Sequence, residues 1–432
     1  MIAEMRKQVC VVGAGPGGLA AAVTAAAHGA RVLLIDEEQS VGGRIWRRDG
    51  GRLPPNARAW LQRADAAGVE RIDSARVVGV DADGALLAIR HGDTLRIVST
   101  HIVLATGASE HFLPFEGWTL PGVCGVGGLQ AFAKSGLDLV GQRVLIAGSG
   151  PLLLAVAAGL RKKGAKIVAI LEQTPKRRVR ALARWLIRRP RKLTQGAALL
   201  ARLVGVPRHH DAWPLCAEGD DRLRRVVVRI GDRTETIAVD WLACAFGLVP
   251  NTDLAEALGC RIEAGRVVVD EHGFTTQPHV LAVGEALGIG GVDAAIAEGI
   301  RAGLAITGRS AELATAARRC ARERDFASRL ETAYGLRDEL RAITTAATIV
   351  CRCEDVPWST LAGHSDLREA KLQTRAGMGA CQGRICGPAL TFLRNGRPDR
   401  RRPPSMPVTF EQLRGFARSD CAADEPLSPP KP

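Results

Sequence analysis

Four cysteines near the C-terminus, Cys351-x-Cys353 and Cys381-x4-Cys386, are the residues whose type and spacing most clearly imply chemistry. Thiolates in two close pairs can hold an iron–sulfur cluster, which passes electrons singly. Tetrahedral zinc asks for equally soft donors in the same number, and two thiol pairs can also form a redox disulfide system. Spacing alone does not choose among these or exclude chance. The clustering is marked, however: four of eleven cysteines fall in residues 351–386, where an even spread would leave about one. Glycines at 377, 379, 383 and 387 bracket the second pair, and glycine lets main-chain N–H groups turn toward sulfur.

Upstream, the elements that must position such a centre come as a repeat. Shifted by 135 residues, VCVVGAGPGGLAAAVTAAAHGARVLLIDE from Val9 lies over VLIAGSGPLLLAVAAGLRKKGAKIVAILE from Val144. Each copy reads as a β-branched strand, a glycine turn, an Ala/Leu-rich helix stopped by Gly-Ala, and a second apolar strand, which is a βαβ unit. In the first copy Gly13, Gly15 and Gly18 complete G-x-G-x-x-G, and Asp36 closes the second strand. Such glycines permit a tight turn, approach of backbone to a pyrophosphate and close helix–strand packing, while the acid accepts from a ribose hydroxyl. The second copy keeps Gly148 and Gly150, has Leu153 at the third position and offers Glu172 as its acid. An acid there suits a free 2′-hydroxyl, hence NAD over NADP; a degenerate unit, empty or holding another adenine nucleotide, is the alternative.

Further segments place flavin in the first unit. Gly42-Gly43-Arg44 follows the Asp36 strand, and His101–Gly107 is a strand ending in the small-residue turn Thr106-Gly107. A third strand, Val280 onward, ends in Gly284-Glu285. The sequence thus predicts an α/β protein with two Rossmann-like domains and a small α-rich C-terminal domain. The expected division is residues 1–115 with 262–310, then 116–261 containing a basic helical insertion at 173–210. A helical connector at 311–344, the cysteine module at 345–395 and a disordered tail at 403–432, with seven prolines, complete it.

Composition bounds the function. The 46% apolar content is that of a globular protein, and the +14 charge suggests acidic partners, nucleic acid or anionic lipid, although an arginine-rich proteome gives the same balance without any partner. Nucleic acid is disfavoured, because aromatics to stack on bases are only 4% of the chain. Gln173 to His210 carries eleven Lys/Arg and no acid, with Trp185, Leu186 and Ile187 among them. It reads either as a solvated face or as a dock for an acidic partner subunit or a peripheral contact with anionic lipid. Solitary cysteines (Cys10, Cys124, Cys216, Cys244, Cys260) read as small buried hydrophobes. An odd count with one cluster favours reduced thiols and a cytoplasmic setting. Val9–Ala30 lacks charge but is punctuated by glycine, so it is expected to be a buried βα unit, not a membrane span. No catalytic triad or histidine ligand pattern is evident, and His209-His210 reads as an exposed loop.

Over residues 7–305 the arrangement resembles the two-dinucleotide-binding-domain flavoproteins of the glutathione and thioredoxin reductase superfamily. The resemblance implies that Gly13, Gly15, Gly18, Asp36, Gly43, Thr106, Gly107, Gly284 and Glu285 contact FAD, with Arg44 beside them. That family usually has Asp where this chain has Glu285. IVCRCEDV with RAGMGACQGRICGP resembles the bacterioferritin-associated-ferredoxin-like [2Fe–2S] domain, whose second pair is C-x-x-C where this chain has C-x4-C. Joined to GWTLPGV and GSGPLLLAVA, the whole resembles the nucleotide-binding subunits of opine oxidases, hydrogen cyanide synthase and heteromeric D-hydroxyproline or proline dehydrogenases. That resemblance implies FAD and a [2Fe–2S] cluster on Cys351, Cys353, Cys381 and Cys386, and NAD(H) or another adenine nucleotide in the second domain. It also implies a partner subunit similar to amino-acid oxidases that oxidises the amine, and a small ferredoxin-like subunit.

Overall fold

The structure is a computed structural model that describes residues 3–364, 366–396, 404 and 406–417. Two sheets, each built around one copy of the repeat, dominate it. In the first, parallel strands run in the order Glu70–Ile72, Val32–Ile35, Ala3–Val12, Asp93–Leu104. Besides Ala3–Val12, the Asp93–Leu104 strand serves two further partners on its other edge. Its first half closes an antiparallel meander with Leu86–Arg90 and Ala75–Val80, and its last residues, Ile102–Leu104, pair with Val280–Ala282. The chain thus leaves this sheet and returns to complete it.

The second sheet has five parallel strands, ordered Arg208–His210, Lys166–Glu172, Arg143–Gly148, Trp241–Ala245, Val123–Gly125. Its own meander is Ala212–Glu218, Arg225–Ile230, Arg233–Ala238. The two crossings between the domains, Ala108–Glu110 and Leu248–Pro250, pair with each other antiparallel. His209 and His210, expected in an exposed loop, instead form a strand end paired with Leu171 and Glu172, and His210 Nδ1 lies 3.3 Å from Thr174 O. The adjacent histidines carry no periodicity that would mark a three-residue strand.

Helix packing explains several small residues. Pro16–Ala27 lies against Gly291–Ile306 so closely that a Cβ on Gly299 would stand 2.2 Å from Gly17 O. The basic stretch folds as helices Lys176–Leu186 and Pro190–Ala201, docked on the long helix Ser310–Tyr334. Trp185 stacks on Phe326, while Arg189 pairs with Asp325 and Lys192 with Asp293 and Glu323. Part of its charge is therefore neutralised within the chain.

The cysteine module has a small core of its own, including Val350, Val356, Leu361, Ala370 and Leu390. It is fastened to the flavoprotein body by Trp118 Nε1 donating to Ile349 O (2.5 Å), by Arg341 donating to Phe392 O and by the Arg384–Asp253 pair (3.5 Å). The tail departs from the disorder expected of it at one stretch. Phe410–Ala417 is a helix against the Asp93–Leu104 strand, with Phe416 buried. Apolar residues at 410, 413 and 416 make one helical stripe, and the prolines that suggested disorder lie on either side of it. Of that tail, residues 403, 405 and 418–432 lie outside the described residues.

Candidate functional site: a nucleotide cavity bordered by a cysteine loop

At the first glycine turn, backbone excludes side chains on one side and an open cavity lies on the other. Gly13 (φ +106°) could not carry a Cβ, which would meet Ala105 O at 2.3 Å, and a Cβ on Gly18 would meet Gly13 O at 1.8 Å. Gly15 differs, for nothing lies within 4 Å of its Cβ position. It faces a cavity of about 610 Å³, within the size range of ligand sites, also lined by Gly13, Asp36, Gly43, Arg44, Thr106, Gly107, Gly284 and Glu285. Nine of the ten residues assigned to flavin from sequence thus share one cavity wall, and Gly18 packs behind it.

The carboxylates of the site are held by backbone. Asp36 accepts from Ala14 N and from Glu38 N (2.7 Å); burial pushes its pKa up and these amides pull it back. Gly284 N donates to buried Glu298 (2.9 Å). Glu285 is raised by burial, against the pull of Arg44, whose Nη1 donates to Ala108 O (3.1 Å). These features fit an FAD: a glycine cradle open where the pyrophosphate would lie, an acid at the strand end for a ribose, and a second acid further along the cavity.

Three further wall residues were not singled out from sequence. Asn251 exchanges hydrogen bonds with Thr106 (2.7 and 2.9 Å), locking the turn after the Asp93–Leu104 strand to the crossing strand. Glu110 accepts from Gly127 N (2.5 Å) at the start of helix Val126–Lys134, and burial raises its pKa. A Cβ on Gly125 would lie 2.2 Å from its Oε2, so the run Gly122, Gly125, Gly127, Gly128 was a readable signal of close approach. The third is Arg384, which sits between Cys381 and Cys386 and lines the cavity.

The four cysteines converge. Cys353 meets Cys381, Cys381 meets Cys386, and Cys386 meets Cys351 through sulfur contacts. Gly377 N donates to Cys351 Sγ (3.4 Å), and amides of Glu354, Gly383 and Ile385 point at sulfur as well. Hydrogen bonds from Cys386 and these amides bring Cys351 down to about 6 and Cys381 to about 4, while Cys386 is driven up by the two thiolates it faces. A Cβ on Gly379 would touch Cys353 Cβ at 2.3 Å, so that glycine is needed for the pairs to meet. Among the described residues no three His, Cys, Asp or Glu side chains surround a single ion position; the sulfurs form a chain of pairs. Two thiolates per iron is what a [2Fe–2S] cluster requires, so the donor set fits that group. Cys10, buried, and Cys124, half-buried, are by contrast thiols that desolvation pushes up to about 12, and neither is in a disulfide.

In the second unit, Gly148 is again forced to be glycine, since a Cβ would meet Ala245 O at 1.9 Å. Glu172 accepts from Gly150 N (2.7 Å) and Thr174 N (2.9 Å), as Asp36 does in the first. Leu153 is buried in the helix–sheet core. No helix among the described residues is long and apolar enough to cross a membrane.

Comparison with known proteins agrees with this geometry. Residues 7–299 match the pyridine nucleotide-disulphide oxidoreductase family. The chain is 32% identical to the HcnB subunit of hydrogen cyanide synthase from Pseudomonas aeruginosa, covering 88% of this chain and 91% of that one. It is 31% identical to an opine oxidase subunit from Agrobacterium tumefaciens, over 89% and 84%. Among solved structures, L-proline dehydrogenase from P. horikoshii superposes with a TM-score of 0.70 at 20% identity, over 96% of this chain and 80% of that one. Thioredoxin reductase from T. acidophilum gives 0.55 at 21%, over 71% and 99%; at these identities the likeness is one of fold. With its glycine cradle, its cavity and a match over most of its length, the chain belongs to the pyridine nucleotide-disulphide oxidoreductase family and is an FAD-dependent oxidoreductase.

Proposed function

We propose that this chain is the FAD- and [2Fe–2S]-carrying electron-transfer subunit of a hetero-oligomeric dehydrogenase or oxidase. Its substrate would be an amine, an opine or a D-hydroxyproline-type compound, oxidised on a partner subunit similar to amino-acid oxidases. The observation that carries the reading is the placement of Arg384: the loop joining Cys381 to Cys386 forms part of the wall of the nucleotide cavity. When bound, FAD supplies two-electron chemistry and the cluster one-electron steps.

The chain's own residues would divide the work. Gly13 and Gly15 open the turn to a pyrophosphate, whose charge the N-terminus of Pro16–Ala27 favours. Asp36, fixed by two amides, is oriented toward a ribose. The amides around Cys351 and Cys381 favour added negative charge on the sulfurs and so tune a potential. The relatives are named as subunits of hydrogen cyanide synthase and opine oxidase, which supports a partner here. The acid-free basic segment, its two helices and the residues just after each, leaves Ile187, Leu193, Leu200 and Val204 exposed, a surface suited to an acidic partner subunit or, peripherally, to anionic lipid. A second reading, a self-contained NADH-dependent reductase, draws on the family's name and on Glu172.

The test is the visible spectrum and iron content of the chain purified without oxygen. Flavin bands with broad absorption to their red side and about two irons per chain are expected. Flavin bands without iron would remove the cluster from the proposal.

A further inference from the structure

In a Rossmann unit the ligand lies beyond the C-terminal ends of the strands, against the start of the first helix. In the second domain that place is bounded by Gly148–Gly150, Glu172–Thr174 and the helix Leu152–Lys162. We infer that it is filled by the chain itself, with Tyr334 and Gly335 as its permanent occupants, and that it takes no nicotinamide nucleotide. The inference rests on the fold and is independent of whether a cluster is bound.

The contacts are specific. The long helix Ser310–Tyr334 ends at the second glycine turn, where Ser149 Oγ donates to Tyr334 O (2.8 Å). Gln173 Nε2 reaches Ser149 Oγ (2.9 Å), Tyr334 O (3.4 Å) and Gly335 O (3.3 Å). Ser149 and Gln173 are both buried. The Ser149 hydroxyl proton is therefore spent on a peptide carbonyl, and the Gln173 amide is held among two hydroxyls, Ser149 Oγ and Thr174 Oγ1 (3.0 Å), and the two carbonyls. The missing side chain of Gly150, which in a working site leaves room for phosphate, leaves room here for the Tyr334 ring, whose Cγ lies 3.9 Å from the Cβ position. On this inference the segment holds the place that the pyrophosphate of a NAD molecule would take.

Nor is the segment a loose flap. Arg337 pairs with Asp211 and lies over the Trp213 ring at 5.2 Å. Leu340 and Ile343 are buried in the same core as Leu171 and Trp213, and Thr344 Oγ1 donates to Pro114 O (2.7 Å). Clearing the crevice would pull this whole stretch from the core and detach the start of the cysteine module. The second copy of the repeat is thus a socket for the connector, and electrons do not enter from a nicotinamide through it.

Tyr334 is the only tyrosine in the chain, so its chemistry reports the site without mutation. On the FAD-loaded full-length protein, tyrosine nitration and ultraviolet phenolate titration are measured, together with hydrogen–deuterium exchange with and without NADH or NADPH at about 1 mM, the weak end of specific binding. Tyr334 is expected to resist nitration and to stay un-ionised at the ordinary phenol pKa of about 10. Exchange at Ser149–Leu153 is expected to be slow and indifferent to either nucleotide. Protection by nucleotide confined to Gly13–Gly18 would also support the inference, since it places binding in the first crevice. A Tyr334 that reacts as a free tyrosine, or nucleotide-dependent protection at Ser149–Leu153, overturns it.

Discussion

Glu172 is the residue on which the nucleotide-site and structural accounts of the second domain differ most measurably. It is 8% exposed, and burial raises its pKa from 4.5 to about 7 although the amides of Thr174 and Gly150 oppose the shift. The sign follows from linkage. A carboxyl with its folded pKa raised binds more protons folded than unfolded, so stability falls as pH rises through the window from 4.5 to about 7, then levels off. At 1.36 kcal/mol per unit, the ionised form costs the native chain about 3 kcal/mol at pH 8 and only about 1 kcal/mol at pH 5. Glu172→Gln abolishes the titration, but its amide group faces one of the two N–H donors and forfeits an acceptor, a loss of about 1 kcal/mol. The variant should therefore match the native chain near pH 5 and exceed it by about 2 kcal/mol at pH 8, or roughly 5 °C in the transition of a domain this size. Thermal unfolding of both proteins at pH 5, 6, 7 and 8, without nucleotide, measures the difference. A difference that does not change with pH would show that Glu172 is solvated, and the account of a crevice filled by the chain would fail with it.

Other outcomes follow from the same geometry. Gly15→Leu should leave the fold intact, because Gly15 has φ −71° and no atom within 4 Å of its Cβ position; flavin content, read from absorbance after gel filtration, should collapse, and retained flavin would mean the cavity is misassigned. Gly18→Ala presses a methyl to within 1.8 Å of Gly13 O and should destabilise the first domain by about 1–3 kcal/mol, as overpacking does; an unchanged melting temperature would contradict the packing. Cys381→Ser should lose iron by elemental analysis while keeping flavin, and unchanged iron would remove Cys381 from the ligand set.

What the sequence made legible was local. A glycine turn, the strand before it and the acid after it lie within a few tens of residues, and Gly13 and Gly18 answer to backbone only one strand or a few residues away. The residues that completed the picture come from far along the chain. Tyr334 meets Ser149 across 185 positions, and Asn251 meets Thr106 across 145. Neither pairing has a periodicity or motif to announce it. Arg384 was visible only as one more charge inside a cysteine motif, and its significance depends on how the module docks. The Phe410–Ala417 helix was hidden for the opposite reason: prolines counted over the whole tail masked a short apolar stripe within it.

One sequence feature changes meaning once the crevice is seen to be filled. In the first copy, Gly18 lets the helix start against the turn: the helix begins at Pro16, directly after Gly15, and its first amides face the cavity. In the second copy the helix begins at Leu152, two residues after Gly150, with Pro151 at its cap, and Leu153 stands where the third glycine would be. Leu153 is 1% exposed and packs into the helix–sheet core with Val156 and Ile146. A helix that starts two residues after the turn, behind Pro151, offers the turn fewer first-turn N–H groups, so less anion affinity remains there. Read alone, Leu153 is a blemish in a nucleotide motif. Beside Tyr334 it is consistent with a unit that no longer needs to grip a pyrophosphate and gains stability from packing instead. The two copies have kept the same βαβ frame and the same acid-to-turn hydrogen bond, and the third glycine remains only in the copy whose crevice is open.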